Sequence, residues 1–394
     1  MKGVILVENS FVHPYMPNSV PENKKAMLDE LGINSVEDIY KSIIPDELLY
    51  KERLDIPEPI RSEYELKRHV MGILNRDITT EEYTSFLGAG CYKHQVPAIC
   101  DEINSRGEFL TAYCGDTYSD HGKMQAIFEY TSMMGELLDT DVVSYTTYDG
   151  GQAVASSLRM AVRAVREKGM AGKVILVPKT MNPEIYSQVV QYCRNVAEVR
   201  KIAYEPETGL MDLEELKEQL AKKNVAAVFF ENPTYLGNFE TRGEEIAKLA
   251  HDAGAYCVVQ TEVAALGIME SPVNQGADIV CGDIQPLGMH IQFGGGQAGF
   301  IACNQNMDLV EQFPTYMYGI TETEKEDTYG WGRAMNYRSS HGSRENAKEY
   351  FGTETGLWAI TAGVYLASMG PQGMYELGET IIQNAAYLED ILDE

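Results

Sequence analysis

Cationic side chains are scarce in this sequence: 32 Lys and Arg stand against 59 Asp and Glu in 394 residues, a formal net charge of −27. An exterior of that sign repels nucleic-acid phosphates and anionic lipid, so neither is expected as the main partner. The seven cysteines (91, 100, 114, 193, 257, 281 and 303) are odd in number and scattered. Without a Cys-x-x-Cys pair they speak against a disulfide framework or a zinc ribbon, and read as buried thiols. No stretch reaches the ~18 apolar residues of a membrane span. The first apolar run, residues 4–7, is cut by Glu8, well short of the ~7–15 residues of a secretory core. These absences predict a cytoplasmic protein. The seven histidines (13, 69, 94, 121, 251, 290 and 341) show no metal-ligand spacing, and neither a Walker loop nor a Gly-x-Gly-x-x-Gly fingerprint occurs. What is present, 44% hydrophobic and 23% charged residues, is the composition of a globular chain.

At ~150 residues per domain the length allows two or three domains. Residues 1–60 read as an arm with short helices. Residues 23–31 form a helix stopped by Gly32, Ser35 with Asp38 imitates a capping box, and Pro45, Pro57 and Pro59 break the chain. Ser62-x-x-Glu65 is a true capping signal, and Leu66, Val70, Ile73 and Leu74 give the helix after it an apolar stripe. From about residue 140 strands and helices alternate. Strands are expected at 142–147, 173–177, 199–204, 225–230, 256–260, 278–281 and 298–302, and helices at 150–166, 183–192, 213–222 and 244–253. Such alternation makes a mostly parallel sheet covered by helices. The acidic cluster at 322–327 reads as a solvated loop, and residues 375–392 as an amphipathic helix.

Three places could carry chemistry. The glycine-dense stretches Gly88-Ala89-Gly90 and Gly294-Gly295-Gly296 let backbone approach a ligand or make tight turns, and spacing alone favours turns. Asp149-Gly150-Gly151 follows a strand and opens a helix. It is either an anion site made of backbone N–H groups or an Asp N-cap with glycines for close packing. Arg338, His341 and Arg344 recur every third residue; on one helix they would form a cationic stripe able to clamp a carboxylate or phosphate, or a solvated face paired with glutamates.

At these residues the sequence resembles the glycine decarboxylase P-protein of the glycine cleavage system, and within it subunit 1 of the split, two-subunit form. The resemblance is carried by FLGAGCYKHQVP at 86–97, Thr-Ala-Tyr at 111–113, QAIFEY at 125–130 and Tyr-Asp-Gly at 148–150. Gly-Ala-Asp at 276–278, Gln-Pro-Leu-Gly at 285–288, Phe-Gly-Gly at 293–295 and VYLASMGPQG at 364–373 extend it. The resemblance implies a fold-type I pyridoxal-phosphate-dependent transferase-like α/β domain at 61–374 with a mixed, mostly parallel seven-stranded sheet. It also implies a helix from 375 that leads, in the family, to a small C-terminal domain absent or truncated in this sequence. In that family glycine loses its carboxyl group as CO₂ and its aminomethyl group passes to the lipoyl arm of H-protein. The cofactor, pyridoxal phosphate, is held mainly by a lysine-bearing subunit 2-like partner.

The sequence itself adds that no lysine occurs between Lys248 and Lys325, where a Schiff-base lysine would fall; Asp283, Ile284 and Gln285 fill that region. No catalytic residue and no metal site is therefore expected in this chain, which would not be active alone. Pocket or partner-site candidates are Gly88, Gly90, Tyr92, His94, Tyr113, Asp149, Gly150, Glu262, Gly294, Gly295, Arg338, His341 and Arg344. Glu262 falls where the fold's pyridine-nitrogen carboxylate would lie. Two departures from the family pattern stand out: a shortened stretch at 116–122, and Asn346, Glu349 and Tyr350 in place of Lys, Ser and Asn. They fall where partner or substrate contacts are expected. Two alternatives remain beside the glycine reading: a paralogous subunit serving another amino acid, and a non-catalytic binding protein that kept the fold.

Overall fold

The computed structural model of the protein describes residues 12–50, 52, 55–86, 92–110, 121–351 and 355–393, without the side chains of His121 and His341. The chain divides into two compact units, residues 1–85 and 86–394. The first holds α1 (Pro21–Leu31), ended by Gly32 in a left-handed turn, α2 (Glu37–Lys41) and α3 (Glu63–Leu74). The division after residue 85 places α3 with the N-terminal helices, whereas the sequence assigns it to the α/β part. Half of the expected capping box forms ahead of α2: Asp38 Oδ2 accepts from the Ser35 amide at 3.0 Å, while the Ser35 side chain caps nothing. Ser62 does cap α3, accepting from the Glu65 amide. None of the three helices holds a buried residue, and the α3 stripe of Leu66, Val70, Ile73 and Leu74 is exposed.

The second unit is built on a seven-stranded sheet. Its elements are α4 (Ala98–Asn104), α5 (His121–Leu138), β1 (Val142–Val143), α6 (Gly150–Glu167), β2 (Val174–Pro178), α7 (Pro183–Cys193) and β3 (Glu198–Ile202). Then follow α8 (Leu213–Leu220), β4 (Val225–Asn232), α9 (Gly243–Asp252), β5 (Tyr256–Thr261), β6 (Ile279–Asp283) and β7 (Gly299–Cys303). The strand order is β1-β7-β6-β5-β4-β2-β3, parallel throughout except for β7, which runs against both its neighbours. A parallel sheet covered on both faces needs strands that are apolar on both sides. β4 meets this: Val225, Val228 and Phe230 join the core under α5, α8 and α9, while Ala226, Ala227 and Phe229 pack toward α6 and α7. Five cysteines, at 100, 193, 257, 281 and 303, are buried free thiols.

Beyond the sheet lie α10 (Met307–Val310), an antiparallel hairpin of β8 (Met317–Glu322) and β9 (Tyr329–Ala334), α11 (Ser340–Ser343) and α12 (Gly356–Asp393). The acidic cluster at 322–327 is the end and tip of that hairpin. The expected C-terminal helix is the last part of α12, which is interrupted at Gly370, φ +62°, ahead of Pro371. Before the break α12 packs Ala359, Ile360 and Ala362 into the core; after it only Met374 and Gly378 are buried, and Ile381, Leu388 and Leu392 are exposed. No described helix is long and apolar enough to cross a membrane.

Candidate functional site

In an open parallel sheet ligands gather at the carboxyl ends of the strands. Here that edge carries Glu231 and Asn232 from β4, Thr261 and Glu262 from β5, and Asp283 from β6. The Asp149-Gly150 turn joins them beside β7 through the Thr147–Gly299 bridge.

The turn into α6 realises the N-cap alternative. Asp149 Oδ1 accepts from the Gln152 amide at 2.6 Å, and the Gly150 amide donates to Asp283 Oδ2 at 2.8 Å. Gly150 has to be glycine, since a Cβ there would lie 2.9 Å from the Asp283 Cβ. Asp283 Oδ1 accepts from the Gln285 amide at 2.7 Å. Burial pushes the Asp283 carboxyl up to about 7 against the pull of those amides. Glu231, 5% exposed, accepts from the Asn182 amide at 3.1 and 3.3 Å, and burial likewise pushes it up to about 7. The cavity beside it, lined by Pro178, Met211 and Phe230 among others, is about 10 Å³, room for about one water. Glu262 caps the short turn 263–267 through the Ala264 amide at 3.2 Å, and burial raises its pKa.

Tyr92 lies over this edge. Its carbonyl accepts from Gln285 Nε2 at 3.4 Å, and burial followed by the charges of Glu262 and Glu231 raises its phenol. His94 is partly buried; desolvation lowers its pKa, and its Nε2 has no hydrogen-bond partner. The strand-end set thus gathers Tyr92, Asp149, Gly150 and Glu262. Gly88, Gly90 and Tyr113 lie outside the described residues. Gly294 and Gly295 lie in a tight turn between β6 and β7, as spacing favoured, with Phe293 in a left-handed conformation (φ +57°) and 99% exposed.

The three cationic residues do not share a helix, so they form no stripe. Arg338 ends a 3-10 turn (Asn336–Arg338) and is 3% exposed; its guanidinium donates to the carbonyls of Phe313 and Thr315. His341 is on α11, and Arg344, exposed, follows it at φ +51°. The 3.6-residue period fails because the segment turns twice within seven residues, and Arg338 is spent on backbone carbonyls.

Sequence reasoning missed three features. Asp283 stands at the helix terminus, a placement only the sheet order reveals. Glu231 is buried behind the β4 run. Glu349, read as a departure near partner contacts, is buried against α6: it accepts from Ser156 Oγ at 2.7 Å and pairs with Arg163 at 3.2 Å and Arg159 at 3.4 Å. Among the described residues no three His, Cys, Asp or Glu side chains converge as metal ligands.

The strand order and the covering helices are those of the fold-type I pyridoxal-phosphate-dependent enzymes. Within that class the chain belongs to the glycine cleavage system P-protein family, whose model matches residues 13–394. It is 37% identical over 382 residues to the probable glycine dehydrogenase (decarboxylating) subunit 1 of Pyrococcus horikoshii, covering 96% of this chain and 82% of that one. The protein of the same description from Carboxydothermus hydrogenoformans is 36% identical over 374 residues, 95% of this chain and 81% of that one. Among solved structures, the inhibitor-bound crystal structure of glycine decarboxylase (P-protein) of the glycine cleavage system superposes with a TM-score of 0.80 at 31% identity, over 93% of this chain and 78% of that one. A sphingosine-1-phosphate lyase from Burkholderia pseudomallei shares the fold alone, with a TM-score of 0.58 at 14% identity over 86% of this chain and 76% of that one.

Proposed function

We propose that this chain is the non-lysine-bearing subunit of a two-subunit glycine decarboxylase. The assembly would remove CO₂ from glycine and pass the aminomethyl group to the lipoyl arm of H-protein. The observation that carries the reading is the match to subunit 1 relatives along nearly the whole chain together with the lysine-free stretch 249–324. Pyridoxal phosphate, the cofactor of the fold class, does not fit this chain's own strand-end crevice. Lysine is missing, Asp283 occupies the α6 terminus, and Glu231 and Glu262 bring acidic groups and no cation to the crevice. The cofactor therefore belongs to a lysine-bearing partner, and the chemistry it supplies there is the electron sink for loss of the carboxyl group.

On this reading the present chain contributes scaffold and walls to a cleft shared with that partner. His94, whose pKa desolvation lowers, and Arg344, exposed on a strained backbone, are the groups assigned to it. Exposed apolar side chains on α3 and at the end of α12 support assembly with other chains. Localisation in the cytoplasm fits a protein with buried free thiols.

Complementation tests the proposal. The purified chain is mixed with a lysine-bearing subunit 2, pyridoxal phosphate and lipoylated H-protein, and glycine-dependent exchange of labelled CO₂ is measured. Exchange that needs both chains supports the reading. Exchange with another amino acid only would move the substrate, and failure to associate with any such subunit would leave a binding protein.

A further inference from the structure

The first amide of α6 is already occupied by a carboxylate from 133 residues away in sequence. Asp283 Oδ2 receives the Gly150 amide at 2.8 Å and Oδ1 the Gln285 amide at 2.7 Å, with the Ala298 amide also directed at the carboxylate. The fit leaves no space at the helix end, because even a Cβ on Gly150 would stand 2.9 Å from the Asp283 Cβ and 3.1 Å from its amide nitrogen. Tyr130, fully buried, has a hydroxyl with no hydrogen-bond partner and is subject to the Asp283 charge.

A helix N-terminus carries about half a positive charge and receives phosphate well when vacant. We propose that Asp283 is a resident anion, a side chain that fills the phosphate cradle at the start of α6 and so closes this chain's own strand-end crevice to phosphorylated ligands. The neighbouring strand ends reinforce the exclusion. Glu231 and Glu262 lie there, and the sequence holds neither Lys nor Arg from 249 to 324 that could offset them. The fold is thereby kept while its cofactor seat is shut by one side chain. This goes beyond the glycine reading and does not depend on it: a chain that fails complementation can still exclude phosphate through Asp283.

The test uses the full-length chain as wild type, Asp283→Ala and Asp283→Asn. Inorganic phosphate and pyridoxal phosphate serve as probes, at about pH 8.5, above the Asp283 pKa of about 7 so that its carboxylate is charged, and at ionic strength matched with KCl. Affinity is measured by calorimetric titration, and folding by circular dichroism and gel filtration. D283A is expected to bind phosphate at least about tenfold more tightly than wild type, since one like charge at contact distance has been removed. D283N, which keeps an acceptor for the Gly150 amide, is expected to gain less. A folded D283A with no gain overturns the proposal, as does wild type binding either probe as tightly as the variant. Should D283A not fold, a D283N chain with wild-type affinity overturns it equally. Wild-type binding of pyridoxal phosphate in the micromolar range overturns it without reference to any variant.

Discussion

Removing the Glu349 carboxylate should loosen the segment that follows β9. The carboxylate, with its side chain 6% exposed, holds Ser156 and Arg163 and pairs with Arg159. Deleting one partner of a buried pair costs about 3–5 kcal/mol when the other charge is stranded. Stranding is incomplete here. Arg163 keeps the Gln312 carbonyl at 2.8 Å, and the two arginine side chains are 21% and 28% exposed. Ser156, fully buried, loses its acceptor, a further cost of about 1 kcal/mol. Glu349→Ala should therefore destabilise by about 2–4 kcal/mol. With an unfolding entropy of about 0.6 kcal/mol/K for a unit of about 300 residues, Tm falls by about 3–6 °C. Glu349→Gln retains an acceptor for Ser156 and loses the charge, so it should fall between the two. Differential scanning calorimetry of the three chains at one pH and low salt decides the matter. An E349A chain within about 1 °C of wild type would refute the reading that this ion pair tethers the segment to α6.

Three further outcomes follow from the same geometry. Gly150→Ala should cost about 1–3 kcal/mol through the clash with Asp283, and much of the loss should return in the G150A/D283A double variant; denaturant melts that show simple additivity would exclude the contact. For Glu231 the folded pKa of about 7 lies above the ordinary 4.5, so the folded state binds the extra proton and wild type loses stability as pH rises from 4.5 to 7. Glu231→Gln escapes that loss, and its Tm should gain on wild type across this window, toward a ceiling of about 3 kcal/mol; a constant difference from pH 4.5 to 8 would show an ordinary carboxyl. Arg344 holds φ +51° and ψ −123°, a strain of about 1–3 kcal/mol for a non-glycine residue. Arg344→Gly should leave the chain at least as stable while lowering exchange activity in the complemented enzyme, and unchanged activity would reduce Arg344 to a solvated group.

The sheet was legible because its long strands, the edge strand β3 apart, are buried on both faces. A run such as residues 225–230 has no polar residue to place, and the glycines and acids between runs mark where each strand stops. The hairpin of β8 and β9 escaped because Gly319, Gly330 and Gly332 dilute any alternation, and the acidic residues at its tip look the same in a hairpin turn as in a loop. The site was less legible for a different reason. Asp149-Gly150 announced a helix terminus, but what sits on that terminus depends on β6 lying two strands from β1, with β7 between, which no local pattern records. The spacing of Arg338, His341 and Arg344 suggested one face only under an assumption of continuous helix. The segment instead leaves helical geometry at Ser339, which is extended at φ −77° and ψ 164°, and at Arg344, at φ +51°.

Those breaks leave a definite arrangement. Described residues between 338 and 355 are fastened by Arg338 to the carbonyls of Phe313 and Thr315, by Lys348 and Glu349 to α6, and by Thr355 Oγ1 to the Thr147 carbonyl at 3.1 Å. Phe351 adds a ring contact to Tyr148 at 5.7 Å, beside the start of α6. Glu349, one of the departures from the family pattern, is one of these fastenings, whereas Arg344, which is kept, stands exposed between them. The exposed cation is presented from a backbone pinned on both sides, which lowers the ordering cost of any contact it makes with a carboxylate across an interface.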